Sequence, residues 1–167
     1  PSGVRRHSGF PGDADAGREA SSGKPGEAFV LLGGRTAIAV SLTEETTEWL
    51  YLLGEERRIV GISGYTVGPR RAREEKPRVS AFTSAKIDKI LAIEPDCVFG
   101  FSDLQADIAS ALIRHGVQVT IFNQRSVEEI LSMLFQVAAI VGRPSEGVVQ
   151  IAAMRVGLDA IRATAAQ

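Results

Sequence analysis

The sequence is poor in the residues that build metal and redox centres. It has one cysteine, Cys97, and two histidines, His7 and His115, among 167 residues. One thiol excludes an intrachain disulfide and any Cys-x-x-Cys site. Two imidazoles are too few for a histidine-rich zinc centre. No apolar run approaches the roughly 18 residues that a membrane-spanning helix needs. Charge of either sign is not in excess: 19 Lys and Arg face 20 Asp and Glu, for a net charge of -1. That removes any global attraction to nucleic acid or an anionic membrane. The phosphate and nucleophile signatures are missing as well. No G-x-G-x-x-G follows a strand, and there is no Walker A loop and no G-x-S-x-G elbow. His115 stands before Gly116 at an expected helix end, where a cation complements the dipole. Cys97 falls inside an apolar strand, where a thiol is buried and inert. The chain therefore reads as a non-enzyme without a cofactor.

What is present is an ordinary globular composition, 44% hydrophobic and 23% charged, at a length that suits one domain with a tail. The first 27 residues are rich in Gly, Pro, Ser and charge, with only Val4 and Phe10 as sizeable apolar residues. Such a segment cannot offset its ordering entropy by burial and reads as a disordered tail. The alternative, a basic arm of Arg5, Arg6 and His7, is the weaker reading. The same stretch lacks the apolar run of a signal peptide.

From Arg35 onward, strand and helix patterns alternate. Strands are expected at Thr36–Val40, Arg58–Ile62, Asp96–Phe101 and Val117–Phe122. Helices are expected after each Ser-x-x-Glu/Gln capping box, at Ser41–Glu44, Ser102–Gln105 and Ser126–Glu129. The first runs to Leu53 before Gly54, the second to His115 before Gly116, and the third to Val141 before Gly142 and Pro144. The third places Val127, Ile130, Leu131, Leu134, Val137, Ala138 and Val141 on one face. A short helix spans Ala85–Ile93. The last helix, about 145–164, carries a stripe of Ile151, Met154, Leu158 and Ile161. The segment 63–84, with its glycines and prolines, reads as an irregular loop, and its basic run 68–78 as solvated. Apolar strands alternating with helices imply a parallel α/β sheet covered on both faces, a Rossmann-like three-layer lobe.

Ligands of such sheets bind at the carboxyl ends of the strands, which singles out the loops 41–46, 63–70, 101–104 and 122–126. Tyr65 and Phe82 stand at the two ends of the long loop after the second strand. Each is a packing plug or a stacking platform. Thr43, Glu44, Ser102 and Asn123 are the polar strand-end positions that join them as candidate ligand contacts.

Several segments look familiar: Ser41-Leu-x4-Thr47-Glu48-x-Leu50-Tyr51-x-Leu53-Gly54, Arg58-Ile-Val-Gly-Ile62, Pro77-Arg-Val79 and Ile87-Asp-Lys-Ile-Leu91-Ala-x-Glu94-Pro-Asp96. Together they resemble the cobalamin and iron-siderophore solute-binding proteins of ABC importers, the cobalamin-binding branch most closely. The last segment, followed by an apolar strand, is the most specific. The resemblance implies two Rossmann-like lobes joined by a long helix, with the ligand between them. It divides this chain into a tail at 1–34, a first lobe at 35–143 and the start of the linking helix at 144–167, with the second lobe absent. It implies a corrinoid such as cobalamin, or a siderophore-type small molecule, as ligand, and the transporter's membrane subunits as partner. It matches Tyr65 and Phe82 to cleft-lining positions and Asp88 to an acidic residue that docks to the transporter. The carboxylates of the loop Thr43-Glu44-Glu45-Thr46 depart from the family's usual uncharged loop. They suit the amides of a corrin rim and would repel an anionic ligand. An unpaired last helix would favour a homodimer. By resemblance the location is periplasmic. The alternative is a cytosolic regulatory or interaction domain that kept the fold.

Overall fold

The computed structural model describes residues 39–81 and 84–166. The expected tail at 1–34 and the candidate Phe82 lie outside these residues. Five parallel strands form one sheet: β1 (Ala39–Ser41), β2 (Ile59–Ser63), β3 (Arg78–Ser80), β4 (Cys97–Phe101) and β5 (Gln118–Phe122). Their order is β3-β2-β1-β4-β5. Six α-helices accompany them: α1 (Glu44–Leu52), α2 (Arg70–Glu75), α3 (Ile87–Ala92), α4 (Ala106–Arg114), α5 (Val127–Ile140) and α6 (Pro144–Ala165).

Alternation along the central strands builds the three layers. Ala39, Cys97 and Phe99 point into a core shared with Trp49 and Leu50 of α1, with Leu131, Leu134 and Val137 of α5, and with the inner side of α6. Val40 and Val98 point the other way, onto Ile90 of α3 and Ile108 and Leu112 of α4. Burial on both faces explains why β1, β2 and β4 are short, largely apolar runs. Phe99 and Phe122 stack across β4 and β5, centroids 6.2 Å apart.

Four sequence expectations need correction. First, the segment 63–84 is not irregular throughout, because it contains α2 and β3. α2 has one buried apolar residue, Ala72, so it carries no hydrophobic periodicity. Its helicity rests on the i,i+4 pairs Arg70–Glu74 at 2.8 Å and Arg71–Glu75 at 2.6 Å. Second, Ser41 caps no helix. It ends β1, and Leu42 continues the pairing through its amide to the Phe99 carbonyl, 2.9 Å. The helix start moves to Thr43, in extended geometry. Third, the helix expected from the Ser102 box begins with a 3-10 turn at Asp103–Gln105, capped by Ser102, and becomes α-helical from Ala106. Fourth, Val127 and Ile130 stand 41% and 40% exposed, whereas Met133 is buried. The buried stripe of α5 thus begins a turn later than expected, at Leu131.

The Ser126 box forms as expected: Ser126 Oγ accepts the Glu129 amide at 3.2 Å. The Glu129 carboxylate reaches back one residue further than the motif requires, to the Arg125 amide. Gly54 and Gly116, with φ of 71° and 79°, end α1 and α4. Along α6, Ile151, Met154 and Leu158 pack on the core, and Ile161 is exposed. The base of α6 is tied down twice. The buried Glu55 carboxylate bridges Arg58 at 2.5 Å and Arg143. Gly147 lies so close to α5 that an added Cβ would sit 2.6 Å from that of Ala138.

Candidate functional site

The strand order reverses between β1 and β4, so the crevice of this sheet opens where the chain leaves those two strands. Gln105 occupies the floor. Its side chain is fully buried. Its Oε1 accepts the Phe101 amide at 2.9 Å and its Nε2 donates to the Leu42 carbonyl at 3.3 Å, which sews the loop after β1 to the loop after β4. Gly100 makes room for it: a Cβ there would fall 2.6 Å from Gln105 Oε1. Beside it, Ser102 adopts a left-handed φ of 59°. Its hydroxyl accepts the Leu104 amide at 3.3 Å, and it is 2% exposed. This turn aims Leu104 outward, 57% exposed.

Thr43 is buried. Its hydroxyl pairs with that of Thr46 at 3.0 Å, and its carbonyl accepts from Thr47 Oγ1 at 3.0 Å. These bonds lock the first turn of α1. Glu44, half-buried, turns its carboxylate sideways: Oε1 accepts the amides of Val67 at 3.3 Å and Gly68 at 3.2 Å. Those amides belong to the loop after β2, which carries Tyr65. That loop is also held by the Gly64 amide on the Ser80 carbonyl, 2.6 Å, and by the Tyr65 amide on Ser63 Oγ, 3.2 Å. The Tyr65 ring is 65% exposed and its neighbour Val67 64%.

On the β5 side, Asn123 is exposed and its Oδ1 accepts from the Arg125 guanidinium at 2.7 Å. Arg125 lies over the Phe101 ring, 5.5 Å from its centroid. The backbone amide of Arg125 holds the Glu129 carboxyl below the usual carboxylate range. A groove of about 590 Å³ runs from Ser102 and Asn123 down between α4 and β5, past Ile113 and Ile121.

The six candidate contacts therefore separate. Tyr65 and Asn123 present themselves to solvent, and Glu44 does so in part. Thr43 and Ser102 are buried in the turns that shape the site, and Phe82 is not among the described residues. Asp88, in the first turn of α3, is exposed. Sequence reasoning missed Val67, Leu104 and Arg125. The available signal was an apolar residue in a strand-end loop without a periodic partner, together with a cation next to a strand-end aromatic.

Cys97 is 1% exposed, and burial pushes its thiol up to about 12. Two arginines of the basic run 68–78 pair with carboxylates: Arg70 with Glu74, and Arg71 with Glu75 and, at 3.8 Å, Glu56. Arg71 also stands over the Tyr51 ring, 5.8 Å from its centroid. Among the described residues, no group of three or more His, Cys, Asp or Glu could hold a metal ion. No described helix is long and apolar enough to cross a membrane.

The fold recurs in solved structures. The vitamin B12 binding protein BtuF of Vibrio cholerae superposes with a TM-score of 0.69 at 23% identity, over 77% of this chain and 51% of that one. The periplasmic heme binding protein HutB of Vibrio cholerae gives 0.69 at 21%, over 77% and 50%. An ABC transporter substrate-binding protein from Listeria monocytogenes EGD-e gives 0.69 at 19%, over 80% and 51%. At these identities the likeness is one of fold, and the chain spans about half the length of each. No curated protein matches the chain. The periplasmic binding protein family matches residues 39–167. The chain belongs to that family, whose members are substrate-binding proteins and not enzymes.

Proposed function

We propose that this chain is the first lobe of a solute-binding protein serving an ABC uptake system, and that its ligand is cobalamin or a related corrinoid. The observation that carries this reading is Tyr65: a large aromatic ring, 65% exposed, on a loop fastened from three sides at the carboxyl edge of the sheet. A ring left in water on a fastened backbone is a stacking surface whose ordering has been met in advance. Val67 and Leu104 extend the apolar area. The exposed Asn123 side-chain amide offers a hydrogen bond to a polar rim. Glu45 and Asp103, both exposed, favour a ligand edged with neutral amides over one edged with carboxylates or phosphates.

In this reading α6 begins the linking helix, the second lobe would close the cleft, and the protein works outside the cytoplasm. Asp88 meets the membrane subunits. Asp88→Ala should keep the denaturation midpoint and weaken that association; unchanged association would remove the role.

The test of the ligand is titration of the purified chain with cyanocobalamin, followed by absorbance and calorimetry, with hemin and a ferric siderophore as parallel arms. Saturable corrinoid binding that weakens in Tyr65→Ala supports the reading. Binding of hemin or siderophore alone, or of none of the three, overturns it.

A further inference from the structure

We propose that Glu44 is a positioning residue: its carboxylate presents the Tyr65 loop to the ligand instead of meeting the ligand itself. This rests on the reading of Tyr65 given above. Glu44 Oε1 accepts two consecutive amides, those of Val67 and Gly68. These lie just past Tyr65, on the side of the loop that is not held by β3. Ser63 and Ser80 fasten the start of the loop, and Glu44 fastens its end, so the ring is carried between two anchors. Glu48, one turn further along α1, sets the distance. Its Oε1 rests against Gly68 in the space that an added Cβ would need. The two carboxylates thus form one wall against which the loop end lies.

An acid in the first turn of a helix also complements the dipole, and that alone could account for a carboxylate at this position. Glu45 serves as the comparison. It occupies the same first turn, gains the same dipole interaction and is exposed. A helix in need of negative charge at its start already has it from Glu45. The sideways turn of Glu44 onto backbone donors of another loop is a separate arrangement. The Oε1 of Glu44 is directed at the protein in this way, and the proposal gives the ligand contact to Tyr65.

The experiment reads the loop with and without ligand. Amide hydrogen exchange of residues 65–68 in the ligand-free chain should speed up about tenfold or more in Glu44→Ala. It should stay close to the native rate in Glu44→Gln, whose carbonyl oxygen still accepts both amides, and in Glu45→Ala. In the cyanocobalamin titration, Glu44→Ala should raise Kd about tenfold and Glu44→Gln should restore most of the loss. Unchanged exchange in Glu44→Ala overturns the proposal. So does a Glu44→Gln variant that keeps native exchange but binds as poorly as Glu44→Ala, because the charge itself would then be meeting the ligand. If no corrinoid binds to any variant, the ligand assignment falls, and the exchange measurement still decides the role of Glu44.

Discussion

Truncating Tyr65 to alanine separates the two meanings an aromatic can have in a strand-end loop. If the ring were a plug, its loss should cost about 3–5 kcal/mol, as deletion of a buried aromatic does. The exposure of 65% leaves roughly a third of the residue's surface covered. For a tyrosine that is on the order of 70 Å², worth at most about 1.5–2 kcal/mol at about 25 cal/mol per Å². A compact denatured chain already covers part of that area, which lowers the figure to about 1 kcal/mol. The same truncation at Phe99, which is fully buried, provides the scale. Urea denaturation should give a Tyr65→Ala stability within about 1 kcal/mol of wild type and a Phe99→Ala stability several kcal/mol lower. Cyanocobalamin affinity in Tyr65→Ala should fall by about 1–2 kcal/mol, close to tenfold. The reasoning is refuted if Tyr65→Ala loses 3 kcal/mol or more of stability, or if it keeps stability and wild-type affinity together.

Further outcomes follow from the packing at Gly147, Gly157, Glu55 and Cys97. Gly147→Ala should lose about 1–2 kcal/mol, because the 2.6 Å approach to Ala138 outweighs the helix propensity gained. Gly157→Ala in the same helix, which meets nothing within 4 Å, should gain about 0.5–1 kcal/mol; chemical denaturation of the pair checks both signs. Glu55→Ala should lose about 2–3 kcal/mol on the same measurement. It strands the mostly buried Arg58, while Arg143 is 44% exposed and recovers water. Cys97 should resist a thiol reagent at pH 8 until urea unfolds the chain. Its thiol is raised to about 12, so the stability it lends is full below the ordinary value near 8.5 and is lost as pH rises from there through 12. Cys97→Val should flatten that part of the stability–pH curve, and an unchanged curve would contradict the assignment.

Elements with a buried face were legible in the sequence. β2, β4 and β5 announce themselves as apolar runs, and α4 and α5 end at the glycines that stop them. α2 was not legible, because its helicity comes from arginine–glutamate pairs that look like a solvated charge run in one dimension. β3 was hidden by its length: only Val79 of its three residues is buried. The capping boxes were ambiguous because Ser-x-x-Glu describes a spacing and not a backbone path. At Ser126 the path turns and the cap forms. At Ser41 the strand pairing continues through Leu42 and overrides it.

The site was legible as a location and less so as a set of contacts. Choosing the loops at the carboxyl edge requires only strand order and polarity. Whether Thr43, Ser102 or Glu44 offers its polar atoms to a ligand depends on where neighbouring backbone amides and hydroxyls fall, and those neighbours are remote in sequence. Glu44 and Gly68 are 24 residues apart. Gln105 and Leu42 are 63 apart. No local motif encodes either contact.

The same distribution of bonds bears on how half of a cleft can be built to bind. Three polar side chains beneath the strand ends are engaged inside the protein: Gln105 holds two loops together, Thr43 holds the start of α1, and Ser102 shapes the turn below Leu104. The charged Glu45, Asp103 and Arg125 stand outward, and beside them is an uncharged set of Tyr65, Val67, Leu104 and the Asn123 amide. A surface of that kind loses little hydration and little side-chain freedom when a flat ligand covers it, but it presses from one side only. In the proposed reading, closure comes from a second lobe carried by α6. The anchorage of α6 suits that task. Arg143 on Glu55 and Gly147 against Ala138 fix the first turns of the helix rigidly to α5 and to the turn before β2. A body attached to its far end would therefore inherit its orientation from the lobe. Loosening that base should weaken binding without touching a single ligand contact.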